Sequence, residues 1–195
     1  YDEAIATQRA VIARNPLASS PYGYLADLLI REGRYDDATQ ALERALEIDP
    51  HYFWAWRTLH QLQDSDDGKL AVCNHLARVR QKFPTDENLL LTHVNMLDDD
   101  TQASAILSAF LEKNPYQIEA CIDYIQRQTR LGNIAHALQF TSEQYWNNHR
   151  PIAILAAEAN IYAERRELAT AIKHMENVVQ INTNFYEGWR RLARW

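Results

Sequence analysis

Tyr35 to Pro50 read YDDATQALERALEIDP and Tyr1 to Pro16 read YDEAIATQRAVIARNP, so one pattern returns at an offset of 34 residues. The period carries along the chain. The position of Ala4 returns as Ala38, Val72, Ala103, Ala137 and Ala171, in steps of 34, 34, 31, 34 and 34. The position of Pro16 returns as Pro50, Pro84, Pro115, His149 and Thr183 in the same steps. Self-similarity at a fixed period of this length marks an array of small supersecondary units, each unable to bury its apolar face alone.

Residues 19 to 50 show what one unit is. Ser20-Pro21 reads as a capping residue followed by proline at the first helical position. Tyr22, Leu25, Ala26 and Leu29 then fall at i, i+3, i+4 and i+7, one stripe of an amphipathic helix. Gly33 ends that helix, because glycine reaches the left-handed conformation at low cost. Tyr35, Ala38, Leu42 and Ala45 make the stripe of a second helix, which Asp49-Pro50 stops by forcing the residue before proline out of helical geometry. The expected unit is an antiparallel helix hairpin.

This arrangement resembles the tetratricopeptide repeat, carried in its clearest copy by Tyr22, Leu25, Ala26, Gly33, Tyr35, Ala38, Ala45 and Pro50. Trp56 and Leu59, Gly132 and Ala137, Tyr162 and Ala171, and Trp189 and Leu192 supply parts of it elsewhere. His60 departs from the pattern where a small residue is usual, as do His149 and Thr183 where proline is usual. Pro50 to Arg57 (PHYFWAWR) and Asn184 to Arg191 (NFYEGWRR) are also similar to the helical repeat of protein prenyltransferase α subunits, but the Gly33-x-Tyr35-x-x-Ala38 block favours the first family. The resemblance implies an all-α, right-handed superhelical solenoid of antiparallel hairpins, with five complete repeats and a half repeat at each end. Residues 1–195 are expected to form a single such domain, a segment of a longer chain with further repeats or a catalytic domain beyond.

The same resemblance implies a protein-interaction scaffold whose concave surface is lined by the second, fifth, sixth and ninth positions of each first helix. The partner-binding residues read from it are Tyr24, Asp27, Trp54, Arg57, Gln61, Asn95, Gln126 and Asn160. Gln61, Asn95, Gln126 and Asn160 share the ninth position, and a primary amide both donates and accepts, so it can pair with the backbone of an extended peptide. Tyr24 and Trp54 are the aromatic anchors. A clamp for a C-terminal carboxylate of the type found in this family would need Lys and Asn, whereas Gly23 and Asp27 occupy the corresponding places.

Composition narrows the function classes. The chain carries a net charge of -6, which disfavours nucleic acid as partner. No stretch approaches the roughly 18 consecutive apolar residues of a membrane span. Cys73 and Cys121 fall in different repeats and are expected as buried core residues rather than a disulfide, which fits the cytoplasm. Asp64 to Gly68 falls short of a calcium loop, since Gly is fifth and His75 twelfth, and reads as a solvated turn. Asp98-Asp99-Asp100 marks the shortened repeat, with Asp100 or Thr101 as cap of the next helix. His60 and His93 read as core or capping histidines. No nucleophile, phosphate-loop or zinc motif is present, so no enzyme, cofactor or metal is expected. Two alternatives to a groove-binding scaffold are the regulatory arm of an enzyme and a self-assembling subunit. In the latter, Tyr1, Ala4 and Ile5 of one copy would meet Trp189, Leu192 and Trp195 of the next.

Overall fold

The computed structural model describes all 195 residues; every regular element is an α-helix, and the chain divides into two compact units, Tyr1–Leu97 and Asp98–Trp195. The all-α class and the hairpin unit read from the period are those observed.

The first unit holds α1 (Asp2–Arg14), α2 (Ser19–Arg31), α3 (Tyr35–Ile48), α4 (Phe53–Gln61), α5 (Asp66–Arg80) and α6 (Glu87–Val94). Each helix packs on the next, and α4 also meets α6, the contact of two successive first helices. Gly33, at φ 75°, turns the chain between α2 and α3, where its N–H reaches Ile30 O at 3.0 Å and the Arg34 N–H reaches Leu29 O at 2.9 Å. This paired bonding satisfies carbonyls that the helix end would leave orphaned. Leu25, Ala26, Leu29, Ala38, Leu42 and Ala45 are all buried, as the stripes require. Tyr35 differs: at the first position of α3 it is exposed. The start of α2 differs too. The helix begins at Ser19 with Ala18 in the capping position, so Pro21 is third rather than first and no side chain caps it. Trp56 is wholly buried, its ring edge-on to His75 at 5.1 Å and its indole N–H donating to Pro50 O at 2.9 Å. Ser65 caps α5 by accepting from the Gly68 N–H, which gives the Asp64–Gly68 turn its structural role.

The second unit holds α7 (Asp100–Lys113), α8 (Ile118–Arg130), α9 (Ile134–Gln139), α10 (Ile152–Glu164), α11 (Leu168–Ile181) and α12 (Tyr186–Leu192). Asp99, not Asp100 or Thr101, caps α7, accepting from the Thr101 N–H at 2.7 Å. Asp100 instead receives the buried Arg127 at 2.7 Å and Arg130 at 2.8 Å, and hydrogen bonding to Arg130 holds its carboxyl below the usual range. Gly132 (φ 78°) and Arg166 (φ 62°) repeat the turn made by Gly33, and all three stand in register. Cys73 and Cys121 are buried thiols with no disulfide between them, as their places in the repeat require.

One element departs from the period. The second helix of the fourth repeat should run on toward His149, yet α9 stops after six residues. Thr141 and Ser142 turn their hydroxyls back onto Leu138 O and Gln139 O, a local bonding that competes with helix propagation. Asn147 and Asn148 take positive φ, which asparagine tolerates better than most residues. Phe140 packs against Tyr124 and Tyr145, and Tyr145 against Trp146, filling space that a longer helix would have used.

Candidate functional site

In the first unit the positions expected to line the concave surface are unequal. Tyr24 is two-thirds exposed, and Arg57, Gln61 and Asn95 are exposed. Asp27 is engaged by Arg31 at 3.0 Å, one turn along α2. Trp54 is half-buried, packed on the core with its ring 5.8 Å from that of Tyr52. Asn95 lies just past α6 as its capping residue. Tyr52, which the spacing does not select, covers α2 instead: a Cβ at Gly23 would stand 2.1 Å from its hydroxyl. Burial, reinforced by the neighbouring Tyr24 phenol, pushes the Tyr52 phenol upward. Tyr24, Tyr52 and Trp54 therefore form an aromatic shelf made possible by the absence of a side chain at Gly23.

The second unit contains a cavity of about 240 Å³ between α8, α10 and α12. Its floor is apolar, from Ile122, Ile125, Ala153, Ala156, Ala157 and Phe185, and its walls carry Gln126 and Asn160. The small side chains of α10 keep the floor open. A wider hollow of about 580 Å³ shares Gln126, Asn160, Glu164, Glu187 and Arg191 with it and adds Arg130, Arg194 and Trp195. Arg191 is held to Glu187 at 3.2 Å and Arg130 to Asp100, while Arg194 is exposed at the rim. Thus one groove passes from an apolar floor to a charged mouth.

The structure thus brings Gln126 and Asn160 to one cavity. Gln61 and Asn95 belong to the other unit. Phe185, Glu187 and Arg191 are cavity residues that the sequence reading did not select. The signal was available: Ala153 and Ala157 advanced by one period of 34 give Glu187 and Arg191. Of the residues expected at open faces, Tyr1, Ala4 and Trp189 are exposed, Ile5 is buried, and Leu192 and Trp195 pack against Ala156, Ala159, Met175 and Val178. No three His, Cys, Asp or Glu side chains are grouped so as to hold a metal ion, and no helix is long and apolar enough to cross a membrane.

A family model of the tetratricopeptide repeat matches residues 20–62. No curated protein matches the sequence. Among solved structures, yeast Tom70 superposes with a TM-score of 0.60 at 16% identity, over 99% of this chain and 42% of that one. TTC0263, a thermophilic TPR protein of Thermus thermophilus, gives 0.53 at 19% identity, over 91% and 98% of the two chains. YrrB, described as a TPR protein with an unusual peptide-binding site, gives 0.50 at 15% identity, over 94% and 96%. At these identities the likeness is one of fold.

Proposed function

We propose that the chain, whose residues 20–62 match the tetratricopeptide repeat, is a protein-interaction scaffold of that family that binds a peptide segment of its partner in the groove of the second unit. The observation that carries this reading is the apolar cavity between three first-type helices with two primary amides on its walls. Its volume, about 240 Å³, is below the roughly 300–1,000 Å³ of sites that enclose whole small molecules. It suits one anchoring apolar side chain, whose burial is worth about 1.5–3 kcal/mol. Gln126 and Asn160 then stand where the backbone on either side of that anchor can be met by a donor and an acceptor at once. The peptide-binding site in YrrB's description supports the reading by analogy of fold. Tyr24, Trp54 and Arg57 offer a separate contact surface on the first unit, the aromatics as anchors and the arginine for a partner carboxylate.

The test is selection of a random displayed peptide library on the wild-type chain, with the selected peptides then measured on Ala153→Trp, which fills the cavity, and on Glu176→Arg, which lies on α11. Peptides that lose affinity on the first variant and keep it on the second support the groove. Peptides that bind both variants like wild type sink it. A Trp54→Ala plus Arg57→Ala variant reads the shelf on the first unit in the same assay.

A further inference from the structure

Trp56 and Trp146 use their indole N–H within the fold, on Pro50 O at 2.9 Å and Phe140 O at 2.7 Å. Trp54 does not. It stands half-buried on α4, a helix packed by α3, α5 and α6, and its N–H donates to no group of the protein. The same holds around it. The hydroxyls of Tyr52 and Tyr24 have no hydrogen-bond partner in the chain, and the exposed Arg57 guanidinium has no carboxylate. α2 and α4 carry one carboxylate between them, Asp27, and Arg31 engages it at 3.0 Å. An indole N–H and a guanidinium only donate, and a phenol can donate. The aromatic shelf of the first unit is therefore rich in donors and poor in acceptors.

Its shape adds a second constraint. Tyr52 and Trp54 lie side by side, ring centroids 5.8 Å apart and planes tilted by 36°. Tyr52 keeps this place because Gly23 of α2 has no side chain; a Cβ there would collide with the Tyr52 hydroxyl. An ordinary extended peptide brings as many N–H donors as carbonyl acceptors, and such a surface offers its donors little. A run of prolines brings carbonyls and no N–H, and its flat apolar rings suit aromatic faces. It also holds the polyproline II conformation before binding, which lowers the ordering cost. Two residue steps of that helix advance about 6 Å, close to the 5.8 Å between the two ring centres.

We propose that the shelf of Tyr24, Tyr52 and Trp54 binds a proline-rich segment of a partner protein in the polyproline II conformation, with an acidic residue of that segment on Arg57. Proline rings lie on the Tyr52 and Trp54 faces. The Trp54 N–H and the Tyr52 hydroxyl donate to proline carbonyls, and Arg57 supplies the charge complement to the acid. The inference rests on the reading of the shelf as a contact surface and is independent of the groove in the second unit.

The probe is an end-blocked proline peptide with a central glutamate, titrated into the nitrogen-15-labelled chain. The Trp54 indole resonance, assigned by its loss in Trp54→Phe, should shift, and those of Trp56 and Trp146, whose N–H groups are already bonded, should stay. Trp54→Phe and Tyr52→Phe each keep a ring and remove a donor, and each should weaken binding by about three- to tenfold; circular dichroism checks that both stay folded. Arg57→Gln should weaken the glutamate peptide by about threefold and leave a peptide with glutamine in its place unchanged. A peptide with alternate prolines replaced by alanine regains N–H groups and loses the preformed helix, and should bind about tenfold more weakly. A Trp54 resonance that does not move would overturn the inference. Equal affinity for the alanine peptide would overturn it too, while leaving the shelf as a contact surface for another class of peptide. The shelf itself would fall if every peptide selected from the random library bound wild type and the Trp54→Ala plus Arg57→Ala variant alike.

Discussion

His93 should make the first unit acid-labile well above the pH at which carboxylates titrate. The imidazole is 6% exposed on α6, and Arg80 of α5 donates to its Nδ1 at 2.8 Å. A guanidinium only donates, so Nδ1 is the acceptor and the proton of the neutral ring resides on Nε2. Protonation would charge a desolvated ring and place it against a second cation; burial first, and Arg80 second, push the pKa down to about 4. An unfolded histidine titrates near 6.5. Between these values the unfolded chain binds more protons than the folded one, so stability is full above about pH 7 and falls as pH drops from 6.5 toward 4, by about 3 kcal/mol in all. The control is His93→Gln, whose side-chain oxygen can still accept from Arg80 but does not titrate. Amide exchange in α5 and α6 of both proteins, measured from pH 7.5 to pH 4, should show the wild type losing about 3 kcal/mol relative to the variant. Parallel pH profiles would refute the reasoning, as would a His93 ring resonance that titrates near 6.5.

Trp56→Ala should cost about 3–5 kcal/mol in urea denaturation, and Trp189→Ala less than half of that, because only the first is fully enclosed. Gly132→Ala should destabilise by about 1–2 kcal/mol, and Arg166→Gly should stabilise by about 1 kcal/mol, since both residues hold the left-handed turn conformation that glycine adopts without strain; thermal melts read both. Gly23→Ala should cost about 1 kcal/mol net, as collision with Tyr52 outweighs the gain in helix propensity. In a Tyr52→Ala background the same substitution should instead stabilise by about 1 kcal/mol, which a double-mutant cycle measures.

The hairpin order was legible because helix signals repeat in phase: one weak helix is ambiguous, but Ala38 and Leu42 returning as Val72 and Leu76 are not. Two features hid within that regularity. Arg166 makes the same turn as Gly33 and Gly132, yet nothing in an arginine announces positive φ. Tyr52 reads as a joint residue, and its covering of α2 depends on a long-range approach that only Gly23 permits. In the groove, position within the repeat brought Gln126 and Asn160 to the cavity. Depth was not legible, because Trp54 and Tyr24 look alike in sequence and differ only in what packs beneath them. Asp100 looked like a cap, and only the fold reveals Arg127 and Arg130 beside it.

The short α9 has a further contributor in where one indole bonds. At the regular joints a tryptophan N–H takes the carbonyl six residues earlier, Trp56 to Pro50 and Trp189 to Thr183, just where a helix has already ended. Trp146 makes the same bond to Phe140 O at 2.7 Å, but in the middle of what the period assigns to a helix. That carbonyl would have accepted from the N–H of residue 144 had the helix continued; the indole holds it instead, so the joint forms early. Trp146→Phe keeps an aromatic ring for the cluster with Tyr116 and Tyr145 but removes the donor. Because Trp146 is 5% exposed, water cannot readily replace the lost bond, and the cost should be about 1–3 kcal/mol. Trp189→Phe loses the same kind of bond where the ring is 48% exposed and water replaces it, at well under about 1 kcal/mol. Equal costs in urea denaturation of the two variants would show that the indole bond does not hold the early joint in place, and that the Thr141 and Ser142 hydroxyl bonds and the packing of Phe140 and Tyr145 end α9 without it.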